Sequence, residues 1–525
     1  MPLGSFRLNS LARYISAIAG GITGSLLHTL DDPNAYDTST GDAFGRSVAI
    51  SGNYAIVSAW FEDDAGGTQS GKAYIYNVTT GALVHTLDNP NAYSTSATDY
   101  FGGSVAISGN YAIVGAYGED DGGNSSGKAY IFNVTTGALV HTLNNPTAYG
   151  TSANDYFGQS VAIDGDRAIV GAYAEDDAGG NSSGKAYIFN VTTGALVYTL
   201  DNPNAYDTST GDSFGNSVAI DGDRAIVGAW FEDDAGGQTS GKAYIFDVTT
   251  GTLVYTLDDP NAYDTSTGDR FGGSVAISGN YAIIAAYFES DAGGTQSGKA
   301  YIYNVTTGAL VHTLDNPNAY STSATDYFGG SVAISGNYAI VGAYGEDDGG
   351  NSSGKAYIFN VTTGALVHTL NNPTAYGTSA NDYFGQSVAI DGDRAIVGAY
   401  AEDDAGGNSS GKAYIFNVTT GALVYTLDNP NAYDTSTGDS FGQSVAISGN
   451  YAIVGASGED DAGGLTSGKA YIFDVTTGAL VNTLDNPNAY STSDSDNFGF
   501  RVAISDNYAI VSAYQEDDAG GLGSG

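Results

Sequence analysis

The chain has 525 residues, 58 acidic against 16 basic side chains, a net charge of −42 and no cysteine. This charge disfavours nucleic acid and anionic membrane surfaces as partners, and the lack of cysteine excludes disulfides and thiolate metal sites. A hydrophobic content of 42% with 39 tyrosines excludes a disordered acidic chain. No apolar run reaches the roughly 20 residues of a membrane helix, so we predict no membrane insertion.

Residues 1–23 precede the first repeated element and form a separate N-terminal segment. They are too polar and too interrupted to predict a signal peptide. The stretch ARYISAIAGG (12–21) predicts a strand that completes an unfinished repeat at the other end of the chain. An amphipathic helix over 8–19 is the alternative, because four apolar side chains share one helical face: Leu8, Leu11, Ile15 and Ile18.

Residues 24–525 form a single domain of repeats. The marker Phe-Gly-x-x-Val-Ala-Ile occurs nine times, at a spacing of 56 or 57 residues. A larger period is also present, because residues 100–215 recur almost unchanged at 327–442. A fixed period of this length indicates a repeat architecture rather than several ordinary domains.

Each repeat predicts four short strands, which we name A to D in chain order. In the repeat that begins at Phe101 they are SVAIS, YAIVGAY, KAYIFNV and ALVHTL. Only Gly-Asn or Gly-Asp separates strands A and B, as expected for a two-residue hairpin. A long acidic loop separates B from C, the tripeptide TTG separates C from D, and a proline-containing loop leads to the next strand A.

Four antiparallel strands per repeat predict an all-β fold, a β-propeller of nine four-stranded antiparallel blades. The last repeat stops after strand B, and a plain strand D (24–30) precedes the first full repeat. We therefore predict that N- and C-terminal strands pair in one closing blade, which removes a free sheet edge. Eight blades are the alternative.

The run FG-x-S-V-A-I followed by V-G-A-Y resembles the FG-GAP repeat, the blade unit of integrin-α-like propellers and of many bacterial surface proteins. The resemblance spans residues 24–525 and implies a surface or extracellular adhesion or recognition protein. Two features depart from the family pattern. An aromatic residue replaces the family's proline after Gly-Ala, and the A–B turn is too short for the family's DxDxDG calcium loop, so that site does not carry over.

The acidic side chains are concentrated in two kinds of loop. The B–C and D–A loops hold 49 of the 58 acids, and in an antiparallel blade both loops emerge at the same end, which we call the upper face. Hard cations prefer oxygen ligands, so the repeated acids predict a Ca²⁺ site in each blade. The alternative is that the aspartate before Phe-Gly caps a turn, while the Glu-Asp-Asp acids pair with the lysine of GKAY or are simply solvated. The candidate ligands are Asp42, Glu62, Asp64, Asp99, Glu119, Asp121, Asp155, Glu175, Asp177, Asp212, Glu232 and Asp234, with the equivalent positions in later repeats.

Aromatic residues stand at the end of strand B in eight of the nine repeats, directly before the acidic loop. Aromatic rings beside carboxylates suit sugar rings or cationic side chains; packing between blades is the alternative use. These candidate ligand-binding residues are Trp60, Tyr117, Tyr173, Trp230, Tyr287, Tyr344, Tyr400 and Tyr514.

The sequence offers no asymmetric constellation of the kind that an active site needs. All five histidines occupy one position of strand D, where other repeats have Tyr or Asn. We therefore predict a monomeric, non-enzymatic binding scaffold that presents its acidic face to a protein, a glycan or a cation. A purely structural ring without a ligand is the alternative.

Overall fold

The fold is taken from a computed structural model. It describes residues 17–20, 26–29, 44–61, 69–77, 82–90, 98–120, 125–146, 154–176, 182–203, 211–232, 239–258, 260, 268–290, 296–317, 325–347, 352–373, 381–403, 409–430, 438–459, 468–485, 497–505 and 508–513. Within these residues every regular element is a β-strand, and no helix is long and apolar enough to cross a membrane.

The predicted all-β class is confirmed: the strands form four-stranded antiparallel sheets. The A strands are β3 (Phe44–Ser51), β7 (Phe101–Ser108), β11 (Ser160–Asp164), β15 (Ser217–Asp221), β19 (Ser274–Ser278), β23 (Phe328–Ser335), β27 (Ser387–Asp391), β31 (Phe441–Ser448) and β35 (Phe498–Ser505). The B strands are β4 (Tyr54–Ala59), β8 (Tyr111–Ala116), β12 (Arg167–Ala172), β16 (Arg224–Ala229), β20 (Tyr281–Ala286), β24 (Tyr338–Ala343), β28 (Arg394–Ala399), β32 (Tyr451–Ala456) and β36 (Tyr508–Ala513).

The C strands are β5 (Lys72–Asn77), β9 (Lys128–Asn133), β13 (Lys185–Asn190), β17 (Lys242–Asp247), β21 (Lys299–Asn304), β25 (Lys355–Asn360), β29 (Lys412–Asn417) and β33 (Lys469–Asp474). The D strands are β6 (Leu83–Asp88), β10 (Leu139–Asn144), β14 (Leu196–Asp201), β18 (Leu253–Asp258), β22 (Leu310–Asp315), β26 (Leu366–Asn371), β30 (Leu423–Asp428) and β34 (Leu480–Asp485). Eight sheets therefore follow the order A-B-C-D within one repeat.

The last repeat contributes β35 and β36, and they pair with two N-terminal strands, β1 (Ala17–Gly20) and β2 (Leu26–Thr29). The order of this ninth sheet is β2-β1-β36-β35, so β1 stands at the C position and β2 at the D position. The strand interpretation therefore holds for Ala17–Gly20. Residues 8–16, where the alternative helix begins, lie outside the described residues.

Successive sheets are joined at seams through their backbones. The N–H of Phe157, which opens the third repeat's Phe-Gly marker, donates to the carbonyl of Ser126 in the second repeat at 3.2 Å. Gly127 and Phe157 then form a parallel bridge, and the same bridge recurs at five further seams. Since the start of one C strand meets the start of the next A strand, adjacent sheets place their B–C and D–A loops at the same end.

The hydrophobic core is divided among these seams. Ile113 and Ile131 of the second sheet pack with Phe157, Val170 and Tyr187 of the third. Equivalent clusters lie at the other seams. The second to seventh sheets are therefore covered by neighbours on both faces, which explains why their B and C strands are apolar almost throughout rather than alternating.

Candidate functional site

In the second to eighth repeats, the base of the B–C loop holds a glutamate with no exposure to solvent. Glu119 follows strand β8, and its carbonyl accepts the N–H of Gly127 at 2.9 Å, which closes the loop. Its side chain is 0% exposed. The six equivalent glutamates are also fully buried: Glu175, Glu232, Glu289, Glu346, Glu402 and Glu459. Glu62 lies outside the described residues.

Each described glutamate accepts a hydrogen bond from the tyrosine at the third position of strand C. Tyr187 donates to Glu175 at 2.6 Å, and Tyr130 donates to Glu119 in the same way. The bond recurs in five further sheets. Strand register explains it, because Tyr130 lies opposite Val114 and so comes beneath the glutamate that follows strand β8.

A lysine completes what we call the Glu–Tyr–Lys cluster. The Nζ of Lys128 lies 2.8 Å from Glu119 Oε1, and Lys355 lies 2.8 Å from Glu346. Lys299 contacts Glu289 at 3.2 Å and Asp315 at 3.6 Å, so one cation bridges two acids. A buried charge of this kind needs a partner, and the lysine supplies it.

Burial raises the pKa of the Glu119 carboxyl. Hydrogen bonds from Lys128 and Tyr130, together with the positive charge of Lys128, oppose that rise. The pKa of Glu346 is raised for the same reasons. Desolvation disfavours the ionised form of a carboxyl group, and the lysine and tyrosine restore part of its stability.

The aspartate before each described Phe-Gly marker is also buried. Asp99 is 1% exposed, and Asp155 is 0% exposed. Asn145, ten residues before Asp155, donates to its Oδ2 at 2.9 Å, and Asn89 does the same for Asp99 at 3.1 Å. The same pairs hold Asp212, Asp326, Asp382 and Asp439. Each pair ties the two ends of a D–A loop together.

The fit of Ca²⁺ to these acids is incomplete in the part of the chain that is described. No group of three or more acidic or histidine side chains suited to a metal ion is found there. Tyrosine engages every described glutamate, and lysine contacts Glu119, Glu289 and Glu346. The middle acid of the loop, Asp120, accepts the N–H of Ser125 at 2.7 Å. Calcium stays a prediction, because the remaining candidates lie outside the described residues: Asp42, Glu62, Asp64, Asp121, Asp177 and Asp234.

The aromatic residues at the ends of the B strands form what we call the aromatic belt, together with the residues before Phe-Gly. Trp60, Tyr100 and Tyr117 follow one another across a seam, with ring centroids 5.1 and 5.2 Å apart. Tyr156 and Tyr173 continue the belt at 5.5 Å. The rings therefore serve inter-sheet packing, and most stay half-exposed on the upper face. Trp60 is buried, and Tyr514 lies outside the described residues.

A second run of the belt crosses the fifth to seventh sheets. Tyr327 and Tyr344 are 5.2 Å apart, and Tyr383 and Tyr400 are 5.5 Å apart. Burial raises the pKa of Tyr344 to about 12, so this phenol stays protonated at neutral pH.

One member of the belt is a cation. Arg270 stands where other repeats have Tyr before Phe-Gly, and its guanidinium lies over the rings of Trp230, Phe231 and Phe288 at 5.2, 5.4 and 4.5 Å. The residues before Phe-Gly were not among the predicted site residues. Their variation between Tyr, Ser, Arg, Ala and Asn in otherwise uniform repeats is the signal that identifies them.

Three histidines of strand D, His85, His141 and His368, have a structural use. His141 Nε2 lies 2.9 Å from the carbonyl of Thr192 in the next sheet, and Tyr198 donates to Thr249 at 2.6 Å in the same way. Both side chains reach the next C–D turn, which explains why the repeats exchange them.

A model of the FG-GAP repeat matches residues 34–76, 92–132, 146–189, 204–246, 261–303, 319–359, 373–416, 431–473 and 489–525. The chain belongs to the FG-GAP repeat family. No curated protein is significantly similar to it. A solved structure with detectable similarity is that of BamB from Moraxella catarrhalis, with 16% identity over 78% of this chain and 92% of that chain and a TM-score of 0.41.

FG-GAP membership accounts for the marker glycines as well as for the strands. Gly158, the glycine of one Phe-Gly marker, accepts the hydroxyl of Ser104 across the seam at 2.7 Å. Its carbonyl lies so close to Gly115 that a Cβ there would come within 1.9 Å. The FG-GAP signature therefore marks the places where two blades touch through their backbones.

Proposed function

We propose that this FG-GAP protein is a non-enzymatic binding scaffold, displayed outside the cell, that holds a cationic protein partner on its upper face. The observation that carries the proposal is the aromatic belt, half-exposed beside the acidic loops. Arg270 supports it, because this guanidinium already occupies the belt at one seam. A net charge of −42 adds long-range attraction for such a partner.

The scaffold of this proposal is a closed ring of nine blades that acts as a monomer. Its support is the sheet β2-β1-β36-β35, which joins the two ends of the chain. On the other side of that sheet, Ala503 of β35 packs against the cluster of Val48, Val57 and Tyr74 in the first sheet. A ring leaves every blade with two covered faces, as the apolar B and C strands require.

Two labelled peptides, one of nine arginines and one of nine lysines, test the proposal at physiological salt. The arginine peptide is expected to bind about fivefold more tightly, because guanidinium stacks on aromatic rings better than ammonium does. The variant Y344A/Y400A should lose that preference. L366A is the matched control, since Leu366 is 42% exposed on strand D, away from the belt. Equal binding of both peptides, unchanged in Y344A/Y400A, would reduce the interaction to net charge and contradict the proposal.

Glycan binding is the second candidate, because half-exposed rings such as Tyr173 and Tyr400 also suit the apolar faces of sugars. A glycan array with the wild-type chain and Y344A/Y400A distinguishes the two partners. A structural ring without a ligand is favoured by the seam contacts of the belt, and it predicts no binding in either assay.

Calcium is a further proposal for the acidic loops. If the ion binds there, chelation lowers the thermal unfolding midpoint and added Ca²⁺ restores it. An unchanged midpoint argues against the ion and leaves the peptide result unaffected.

A further inference from the structure

The C position of the ninth sheet carries a different sequence from the C strands of the other eight. In the second sheet, Val114 lies opposite Tyr130 and Ala112 lies opposite Phe132. In the ninth sheet, Val511 lies opposite Ala17, and Ala509 lies opposite Ala19. In each of the other eight sheets, the Val or Ile that corresponds to Val511 lies opposite a tyrosine. These tyrosines are Tyr74, Tyr130, Tyr187, Tyr244, Tyr301, Tyr357, Tyr414 and Tyr471.

The two aromatic rings of a C strand pack around the phenylalanine of the same sheet's Phe-Gly marker. Tyr130 and Phe132 are 1% and 3% exposed, and their centroids lie 5.5 and 6.0 Å from that of Phe101. The arrangement recurs in the third, fourth, fifth, sixth, seventh and eighth sheets. Phe498 is the corresponding residue of the ninth sheet and is 1% exposed. At the register positions of the two rings, β1 has Ala17 and Ala19.

We propose that the C position of the ninth sheet is an acceptor for a strand of the type Lys-Ala-Tyr-Ile-Phe-Asn from another FG-GAP chain, which replaces β1. The backbone of β36 supplies the antiparallel ladder, and the tyrosine and phenylalanine of the incoming strand occupy the positions beside Phe498. This mode of recognition is strand addition, in which the main chain gives affinity and the alternate side chains give specificity. It goes beyond the proposed function, because the upper face takes no part in it.

The replacement is a competition between a tethered strand and a better-fitting one. β1 belongs to the same chain and so has the advantage of a high effective concentration. The incoming strand buries two aromatic rings where β1 has two methyl groups, and aromatic burial is among the largest favourable contributions that a single side chain makes.

A fluorescent peptide with the sequence of residues 126–136, which contains KAYIFN, tests the proposal on the full-length chain. We expect one peptide bound per chain. A control peptide with Ala in place of Tyr130 and Phe132 should bind at least about tenfold more weakly. Failure of the first peptide to bind, or equal binding of the two, would overturn the proposal.

Two variants identify the place of binding. A17Y/A19F gives β1 the missing rings, so it should raise the thermal unfolding midpoint and weaken peptide binding about tenfold. A19C/A509C joins β1 to β36 by a disulfide that prevents β1 from leaving. The oxidised chain should therefore not bind the peptide, whereas the reduced chain should bind it. Binding that persists in the oxidised chain would assign the peptide to the outer edges of the D strands and reject the acceptor. A lower midpoint for A17Y/A19F would likewise show that rings do not fit beside Phe498.

Discussion

At the scale of single residues, the seams depend on glycines that leave room for a neighbouring backbone. Gly127 has φ +80°, and a Cβ there would lie 2.1 Å from the carbonyl oxygen of Phe157. The hairpin glycine Gly165 has φ +56° but open space around it. Both positions are strained for a residue with a side chain, and only the first is also crowded.

We expect G127A to lower the free energy of unfolding by about 3 kcal/mol, since backbone strain and a steric clash combine. G165A should cost about 1 kcal/mol, from strain alone. Urea unfolding of both variants measures the difference. Equal losses would mean that the seam yields readily and that the parallel bridge contributes little.

The C–D turn shows how an exchanged residue changes the response to pH. Asp247 replaces the asparagine of most repeats and accepts hydrogen bonds from the Thr249 hydroxyl at 2.5 Å and from two backbone N–H groups. Arg224 lies 2.7 Å from its other oxygen. Chiefly through the Thr249 hydroxyl, with support from the backbone and Arg224, these contacts hold the pKa of Asp247 at about 2.

A carboxyl whose pKa is lowered on folding stabilises the fold above its unfolded pKa, near 4, and this contribution is lost as the pH falls through about 2. Between pH 4 and pH 2, the wild type should therefore lose about 1 kcal/mol more of its unfolding free energy than D247N does. This value allows for screening at a partly exposed site. The converse variant N190D places an acid opposite Arg167 in the same register and should add a similar loss. Urea midpoints across this pH range measure both, and parallel curves for D247N and the wild type would contradict the assignment.

At the scale of the strand, periodicity and turn residues were sufficient to predict the four strands of a repeat. The predicted strand SVAIS of the second repeat lies within Phe101–Ser108, and the predicted strand KAYIFNV matches Lys128–Asn133 except for its last residue, Val134. The Glu–Tyr–Lys cluster was anticipated only in part, by the alternative that the Glu-Asp-Asp acids pair with the lysine of GKAY or are solvated. Its tyrosine depends on the register between strands B and C, which a strand pattern does not determine.

Contacts between sheets were harder still to predict, because their two partners are about one repeat apart in sequence. To predict the contact between His141 and the Thr192 carbonyl, the relative position of two sheets must be known. The exchange of His for Tyr at this position was visible in the sequence, but its reason was not. Both side chains carry a donor at the end of a ring, and a donor to a fixed carbonyl is what the seam requires.

We expect H141Y to keep the stability of the chain, because Tyr198 makes the same link one sheet later. H141A should lower the free energy of unfolding by about 1 kcal/mol, the usual net value of one hydrogen bond. The partly exposed neighbour Val140 provides a control in V140T, which leaves the link intact. A loss in H141Y equal to that in H141A would show that the ring's donor is irrelevant.

At the scale of the whole molecule, the ninth sheet joins two short N-terminal strands to the last two strands of the chain. Ala19 and Ala509 are partners in an antiparallel pair, and such partners lie within the Cα separation that a disulfide spans. The chain has no cysteine of its own, so any disulfide within A19C/A509C must join the two introduced residues. The variant therefore tests the pairing of β1 with β36 directly.

Oxidation of A19C/A509C should give a cross-linked monomer of altered electrophoretic mobility and a raised unfolding midpoint, since the cross-link restricts the unfolded chain. A19C/A282C is the control, because Ala282 holds the equivalent position in the fifth sheet and pairs with Tyr303. Equal cross-linking in both variants would indicate random collision rather than a paired ninth sheet.

The bridge between Gly127 and Phe157 has a consequence for how such a protein gains repeats in evolution. From the second repeat onward, each marker phenylalanine is bonded to the repeat before it, so the segment that recurs in the sequence and the segment that packs as a unit are out of phase. Copying any stretch of one period, wherever the copy begins, adds one blade and one complete junction. Gene duplication can therefore enlarge the molecule without inventing a new interface, and the near-identical stretches 100–215 and 327–442 are the expected record of that process.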